Sequence, residues 1–193
     1  ANYPPSANNA SKTALTWRKY LDEQYANGIW NTNACPIVIR YAEVLLTYAE
    51  AVNELSGPSA DVYDKLDLIR GRVGMPKVDR EKYASKETLR RLIRRERGVE
   101  LAGEGVRRAD ILRWKDDNGK MVAETVLNGV LERVVGTVNY AETDPTKRAE
   151  IDTNAPVTDK KIEDRVFKVH NRYNPIPQGA IDNNPNLEQN PGY

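Results

Sequence analysis

The sequence predicts a mainly α-helical fold, in which a helical hairpin and a following helix precede an irregular, loop-rich region with a few short strands. Three observations lead to this prediction. Apolar residues recur at helical spacing in two neighbouring segments that a Ser-Gly-Pro breaker separates. A third segment, 85–102, has an apolar stripe opposite an arginine-rich face. After residue 115, turn-forming and short β-prone stretches replace the helical period.

The first predicted helix starts at Pro36, because proline suits the first helical turn, and it stops at the breaker at 56–58. Its apolar residues recur at helical spacing and predict one buried face. Glu43, Glu50 and Glu54 are expected on the opposite side of the helix. The predicted buried face comprises Ile37, Tyr41, Val44, Leu45, Tyr48, Ala51, Val52 and Leu55.

The second predicted helix covers residues 59–72 and buries Val62, Tyr63, Leu66 and Ile69. The connection between the two helices is short, which predicts an antiparallel hairpin. This hairpin resembles one tetratricopeptide unit. The sequence contains no second copy at that period, so the residues do not support a solenoid of repeats.

The third predicted helix begins at Ser85, a good N-cap residue, with Glu87 in the first turn. Gly103 and Gly105 permit a left-handed backbone, so the chain is expected to turn there and enter a second short helix. Trp114 closes that helix and is expected to belong to the core rather than to a binding site. Ile111 and Leu112 supply its remaining apolar content.

Glu96 and Glu100 interrupt the apolar stripe of the third helix. A carboxylate held against a core needs a charged, hydrogen-bonding partner. The nearby arginines favour a structural ion-pair network over a catalytic pair of carboxylates. The candidate partners are Arg107, Arg108 and Arg113 after the glycines, or Arg70 and Arg72 before the helix.

The remaining chain is predicted to be irregular. Residues 116–119 read as a turn, 121–127 as one or two helical turns, and 131–140 as a strand that pairs with 165–169. The polar residues 141–165 are expected to form a surface loop. The proline-rich carboxy terminus is expected to hold only one turn, near 179–182.

The composition argues against several classes of function. The chain has 193 residues with 29 basic and 28 acidic side chains, so its net charge of +1 does not recommend nucleic acid as a partner. One cysteine, Cys35, excludes an intrachain disulfide and a cysteine-based metal site. The single histidine, His170, is far from Cys35 in sequence, and no phosphate-binding glycine loop is present. We therefore expect no enzyme, no cofactor and no metal site.

Aromatic residues near the amino terminus are the candidate ligand contacts. Tyr25 and Trp30 lie in a polar stretch that ends at residue 34, and Tyr20 precedes it. Such rings either stack on a sugar or fill a local core, and the residues alone leave both alternatives open.

Four motifs in order identify a family resemblance. They are YAEVLLTYAEAVNE (41–54), LDLIRGRVGMP (66–76), LRRLIRRERGVELAGEGVRRADILRW (89–114) and NPIPQGAIDNNPNLEQNPGY (174–193). Together they resemble the carboxy-terminal region of the SusD/RagB family. The resemblance implies residues 1–193 to be that region, with a helical part at 36–114, a loop-rich part at 115–193, and the amino-terminal helical part of the parent protein absent.

The resemblance also implies a function. Members of this family are nutrient-binding outer-membrane lipoproteins of Bacteroidetes that take part in polysaccharide utilisation. They bind glycans, or peptides in some cases, without catalysis, and deliver them to a SusC-like TonB-dependent transporter. Their contact with the membrane is through an amino-terminal lipid anchor.

On this basis the expected function is glycan binding at the cell surface, and Trp30, Tyr25 and Tyr20 are the nominated ligand residues. Two alternatives stay open. The same architecture could carry peptide cargo, or the helical hairpin could be a protein-interaction module without a small ligand.

Overall fold

The computed structural model describes residues 11–13, 15, 17, 19–20, 35–139, 141–144 and 147–193. These residues fall into two compact units. One unit begins at Lys19 and ends at Asp110, and the other contains the residues from Ile111 to Tyr193 with the described residues before Lys19. In the described part of the chain, no helix combines the length and the apolar character that crossing a membrane requires.

The first unit is built from helices, which confirms the mainly helical fold class. They are α1 (Tyr41–Ser56), α2 (Ala60–Arg72), α3 (Lys86–Glu100) and the start of α4 (Arg107–Arg113). α1 and α2 form the predicted tetratricopeptide-like hairpin, and α3 packs against α1. The facing sides of these helices bury one hydrophobic core, which includes Leu45, Leu46, Ala49, Val62, Leu66, Ile69, Leu89, Leu92 and Ile93.

The predicted starts of the second and third helices are confirmed by their caps. The Ser59 side chain accepts a hydrogen bond from the Val62 amide at 3.4 Å. At the start of α3, Ser85 Oγ accepts from the Thr88 amide and Thr88 Oγ1 accepts from the Ser85 amide, each at 3.2 Å. This reciprocal capping satisfies two backbone donors that the helix itself leaves unpaired. The predicted buried face of α2 is also confirmed, with Val62, Tyr63, Leu66 and Ile69 all buried.

The predicted start of the first helix is wrong. Residues 36–40 are not helical, and α1 begins at Tyr41. Arg40 is its N-cap residue, with an extended backbone at φ −139° and ψ 161°. The Arg40 side chain bonds to the carboxyl end of α3, and this tertiary contact outweighs the preference of Pro36 for a first helical turn.

The predicted buried face of α1 is also largely wrong. Tyr41, Val44, Tyr48 and Leu55 are exposed, although they follow a regular helical period. The buried side chains are instead Leu45, Leu46, Ala49, Glu50 and Asn53. Two polar groups lie on this face: the Asn53 side-chain nitrogen donates to the Lys86 carbonyl at 3.1 Å, and Glu50 lies 3.6 Å from Arg97. α1 has two apolar stripes, and the stripe containing Leu46 packs in the core.

The second unit contains short elements. After the predicted turn at 116–119 come α5 (Val122–Val126), β1 (Gly129–Glu132), β2 (Gly136–Val138), β3 (Ala149–Ile151), α6 (Val157–Lys160), β4 (Lys161–Arg165), a 3₁₀ turn (Val169–Arg172) and α7 (Gln178–Asn183). β1 pairs antiparallel with β4, and β2 pairs antiparallel with β3. The predicted helical turns at 121–127 and 179–182 are thereby confirmed as α5 and α7.

Two predictions for this unit are corrected. The predicted strand 131–140 is two short strands. β1 pairs with 161–165, a few residues earlier than the predicted 165–169, whereas β2 pairs with 149–151. The segment 141–165 is not simply a surface loop, because β3, α6 and β4 lie in it. These strands have exposed residues and no alternating apolar pattern, so the sequence offered no period to detect. Their backbone pairing is what defines them.

The carboxy-terminal residues are fastened by side-chain contacts. The Gln189 amide group accepts from the Ile176 amide at 2.8 Å and donates to the Ile176 carbonyl at 2.9 Å. Tyr193 Oη donates to the Tyr173 carbonyl at 2.9 Å, and its ring meets His170 edge to face at a centroid distance of 5.0 Å. The chain end is therefore held without regular secondary structure.

Candidate functional site

The candidate site lies in the first unit, where the polar segment 21–34 begins and ends. A cavity of about 340 Å³ is lined by Tyr20, Cys35, Pro36, Ile37, Gly103 and Glu104. Tyr20 immediately precedes the segment and Cys35 immediately follows it. The two ends of the segment therefore meet at one cavity, beside the turn that follows α3. Of the nominated ligand residues, Tyr20 lies at this cavity, while Tyr25 and Trp30 lie outside the described residues.

Tyr20 has a backbone conformation that is rare for its residue type. Its φ is +69°, in the left-handed region that few residues other than glycine adopt. Such a conformation is unfavourable by about 1–3 kcal/mol and persists only where the surroundings hold it. The Tyr20 side chain is 38% exposed, so its aromatic ring is accessible to solvent immediately before the segment 21–34.

Lys19 fixes the amino-terminal end of this segment. Its ammonium donates to the Glu100 carbonyl at 2.9 Å and to the Ala102 carbonyl at 3.0 Å, and it pairs with the Glu104 carboxylate. Carbonyls at the carboxyl end of an α-helix lack partners within the helix and carry the negative end of its dipole. A cation at this position therefore satisfies the end of α3 and anchors the residue next to it, Tyr20.

Arg40 fixes the chain that follows the segment 21–34 in the same way. Its Nε donates to Glu104 Oε2 at 2.7 Å and its Nη1 donates to Glu100 Oε1 at 2.6 Å. A third bond, from Nη2 to the Glu100 carbonyl, measures 2.5 Å. Glu104 thus contacts one cation from each side of the segment, Lys19 before it and Arg40 after it.

Glu104 is the centre of this arrangement. It lies between Gly103 and Gly105, whose φ values of +78° and +82° confirm the predicted left-handed turn. Its side chain is only 3% exposed. Burial acts to raise its pKa, but the hydrogen bonds and charges of Arg40 and Lys19 outweigh burial, so the pKa is lowered. The same bonds hold the pKa of Arg40 above its ordinary value. Glu104 is therefore ionised at neutral pH.

The other two carboxylates at this end of α3 have arginine partners. Arg70 Nη1 lies 2.5 Å from Glu96 Oε1, and Arg72 Nη2 lies 2.7 Å from Glu100 Oε1. Of the two predicted sets of arginine partners for Glu96 and Glu100, the set before the helix, Arg70 and Arg72, is confirmed. Both carboxylates are occupied by guanidinium groups, which favours the structural ion-pair network over an acid and base pair.

A buried ion pair lies between Glu96 and Glu100 on α3, at Arg97. Arg97, 5% exposed, donates from Nε and Nη2 to both oxygens of Asp110 at 2.9 and 3.0 Å. Its Nη1 also donates to Thr47 Oγ1 at 3.0 Å. These bonds join α1, α3 and α4 within the first unit, and the pair brackets the turn containing Glu104.

Sequence reasoning missed Lys19, Arg40, Arg97 and Glu104. A signal for Arg97 existed, because it continues the row of Leu89 and Ile93 at a spacing of four residues, where an apolar residue would be expected. The roles of Lys19 and Arg40 had no such signal, since both act across more than 60 residues of sequence. Trp114, expected in the core, is 4% exposed, which confirms that expectation.

Among the described residues, no group of three histidine, cysteine, aspartate or glutamate side chains is placed to hold a metal ion. What the site offers is an exposed aromatic ring, an apolar wall from Pro36 and Ile37, and a buried carboxylate fixed by two cations. An exposed aromatic ring on a fixed base suits binding by stacking and hydrogen bonding.

Comparison with known proteins gives the family. The SusD family model matches residues 1–193, and the chain belongs to the SusD family. Two SusD-like proteins of Formosa agariphila, P25 and P2, are 40% identical over 79 residues and 38% identical over 93 residues. These matches cover 40% and 46% of this chain but only 15% and 18% of the two relatives.

Solved structures give the same result for the fold. A SusD-like protein from Bacteroides fragilis superposes with a TM-score of 0.61 at 28% identity, over 82% of this chain. A SusD homologue from Bacteroides thetaiotaomicron superposes with a TM-score of 0.51 at 27% identity, over 80% of this chain. In both comparisons the match covers 26% of the solved chain. The chain therefore spans about a quarter of the length of these structural relatives.

Proposed function

We propose that this protein binds glycans at the bacterial cell surface, without chemical change, and delivers them to a SusC-like TonB-dependent transporter in the outer membrane. Membership of the SusD family supports the proposal. The single observation that carries it at the level of residues is the meeting of Tyr20 and Cys35 at one cavity. This places the two ends of an aromatic segment on a rigid base.

The proposed binding mechanism uses stacking. The C–H faces of a sugar ring pack against aromatic rings, and polar side chains bond the hydroxyl groups. Tyr20 supplies one ring at the cavity, and Tyr25 and Trp30 are the further candidates within the segment. Because Lys19 and Arg40 hold both ends of the segment, less conformational entropy is lost on binding than with an unanchored loop.

A binding role without catalysis agrees with the state of the carboxylates. Glu96, Glu100 and Glu104 are each bonded to arginine or lysine. For Glu104, Arg40 and Lys19 lower the pKa, which opposes the protonated form that a general acid needs near neutral pH. We therefore assign these three side chains to the scaffold.

The membrane association and the transporter belong to the same proposal. In it, the chain is the carboxy-terminal region of a longer surface lipoprotein, and a lipid anchor on the amino-terminal part of that parent protein attaches it to the outer membrane. The share of the solved relatives that the chain matches, 26%, supports a larger parent.

Affinity electrophoresis tests the proposal. The chain is run through gels that contain amylopectin, xylan, pectin or laminarin, beside a gel without polysaccharide. We expect one polysaccharide to retard the chain, and Tyr20→Ala to reduce the retardation at least threefold. Tyr41→Ala is the matched control, because Tyr41 is an exposed tyrosine of α1 that does not line the cavity. If the chain has equal mobility in all gels but binds peptides, the cargo is peptide rather than glycan.

A further inference from the structure

A second concave surface lies in the first unit, between α2, α3 and the loop that connects them. It encloses about 520 Å³ and shares no lining residue with the cavity at Tyr20. Its floor includes the buried Leu92 and Val78, and its walls include Met75, Tyr83 and Val99. We call this surface the α2–α3 groove. It is amphipathic, because cationic side chains surround this apolar lining.

The charges of the groove are unbalanced. Lys77, Lys82 and Arg95 line it, and in the described part of the chain no carboxylate lies within salt-bridge distance of any of them. Among the described lining residues, the carboxylates of Asp79 and Glu96 are engaged within the protein. Glu96 pairs with Arg70 at 2.5 Å, and Asp79 Oδ1 accepts from two backbone amides at 3.0 Å. Three cations are thus available for an anionic ligand.

The walls of the groove are fixed before any ligand arrives. Three side chains of α2 hold the connecting loop at three points. Arg70 Nε donates to the Pro76 carbonyl at 2.7 Å, Asp67 Oδ1 accepts from the Val78 amide at 2.7 Å, and Tyr63 Oη donates to the Tyr83 carbonyl at 2.8 Å. A groove that needs no rearrangement loses less free energy on binding.

Two wall residues of the groove expose apolar surface to solvent. Val99 is 71% exposed and Met75 is 48% exposed. Methionine and valine beside a leucine floor suit an aliphatic or aromatic side chain better than a sugar ring, which packs on the flat face of an aromatic residue. Tyr83, the one aromatic ring among the described residues of the lining, lies 5.5 Å from the Lys82 ammonium. The lining therefore favours a polypeptide over a glycan.

From these observations we infer that the α2–α3 groove is a docking surface for an acidic segment of a partner protein, whose apolar side chain packs between Met75 and Val99 while its carboxylates pair with Lys77, Lys82 and Arg95. Complementary charge increases the association rate and selects the partner, and the buried apolar side chain supplies most of the affinity. This surface is separate from the proposed glycan site and does not depend on it.

Selection from a phage library of random twelve-residue peptides tests this inference on the whole chain. We expect enriched peptides to carry several Asp or Glu residues around one large apolar residue. The enrichment is expected to disappear when the selection is repeated on Lys82→Glu/Arg95→Glu, and to persist on Lys120→Glu, a charge change outside the groove. No enrichment, a neutral or basic consensus, or undiminished enrichment on the double variant would overturn the inference.

Fluorescence anisotropy then separates the two contributions. A labelled peptide of the selected consensus is titrated with wild type, Lys82→Glu and Val99→Ser, at 50 and 300 mM salt. We expect Kd to rise at least tenfold for each variant, and the effect of Lys82→Glu to shrink at high salt because ionic attraction is screened. Val99→Ser changes an exposed residue, so the fold is retained. If trigalacturonate displaces the labelled peptide as well as the unlabelled peptide does, the groove binds negative charge without selecting a polypeptide, and the docking assignment is wrong.

Discussion

Arg97 and Asp110 form a bidentate ion pair inside the first unit, with Nε to Oδ2 at 2.9 Å and Nη2 to Oδ1 at 3.0 Å. Both side chains are nearly inaccessible to solvent, at 5% and 3%. Glu50 lies 3.6 Å from the same guanidinium. The pair positions α4 on α3, and through it the turn that holds Glu104.

Breaking this pair is expected to destabilise the fold strongly. Asp110→Asn leaves a buried guanidinium without its bidentate carboxylate, and we expect the free energy of unfolding to fall by about 3–5 kcal/mol. Chemical denaturation followed by circular dichroism measures the change. Asp64→Asn is the control, because Asp64 pairs with Arg80 at 3.2 Å on the surface and its loss is expected to change stability by less than about 1 kcal/mol. Equal effects of the two substitutions would contradict the structural role of Arg97.

The Glu104 network predicts a dependence of stability on pH. The pKa of Glu104 lies below its ordinary value of 4.5. Burial alone would raise this pKa, but the hydrogen bonds and charges of Arg40 and Lys19 outweigh the effect of burial. Its stabilising contribution is therefore complete above pH 4.5 and is lost as pH falls through the lowered pKa of the folded state. We expect wild type to be more stable than Glu104→Gln at pH 7, and this difference to close towards pH 3. A difference that stays constant over urea titrations from pH 7 to pH 3 would show that ionisation of Glu104 contributes nothing.

The two apolar stripes of α1 are expected to respond differently to truncation. Leu46 is fully buried, and Leu46→Ala is expected to lower the free energy of unfolding by about 2–5 kcal/mol. Leu55 is 85% exposed, and Leu55→Ala is expected to change it by less than about 0.5 kcal/mol. The same denaturation assay compares them. A larger loss of stability for Leu55→Ala than for Leu46→Ala would support the buried face that the sequence predicted for α1.

The carboxy terminus offers a matched pair of glycines. Gly192 has φ +96°, and a Cβ added there would lie 2.7 Å from His170. Gly192→Ala is therefore expected to loosen the segment that Tyr193 fastens, and to speed amide hydrogen exchange around Tyr173 and Gln189 at least tenfold. Gly179→Ala lies in α7 with no atom within 4 Å of the added Cβ, so it is expected to leave exchange unchanged. Slow exchange in both variants would contradict a closely packed chain end.

Local sequence patterns identified α2 and α3 because their signals agree. Ser59 and Ser85 mark the starts, and Leu66 and Leu89 lie on stripes that match the observed core. For α1 the pattern was ambiguous, since two stripes compete and only packing against α2 and α3 selects the one with Leu46. The exposed strands β3 and β4 lack an alternating apolar pattern, so their positions could not be predicted from the sequence.

The candidate site was predictable only in part. The family resemblance and the glycine turn could be read from motifs, whereas the role of Tyr20 in ligand binding stays a prediction. The convergence of Lys19 and Arg40 on Glu104 joins positions more than 60 residues apart, and no local period records such a contact. The roles of Tyr25 and Trp30 stay predictions, since both lie outside the described residues.

The most direct test of the central claim is calorimetric titration of oligosaccharides from the retained polysaccharide into wild type, Trp30→Ala and Tyr41→Ala. If the segment between Tyr20 and Cys35 forms the glycan site, Trp30→Ala should weaken binding at least twofold, since stacking on one aromatic ring contributes about 0.5–1.5 kcal/mol beyond the area it buries. Tyr41→Ala should bind like wild type. Wild-type affinity in Trp30→Ala would place the glycan elsewhere, and no heat with any glycan would contradict glycan binding by this chain.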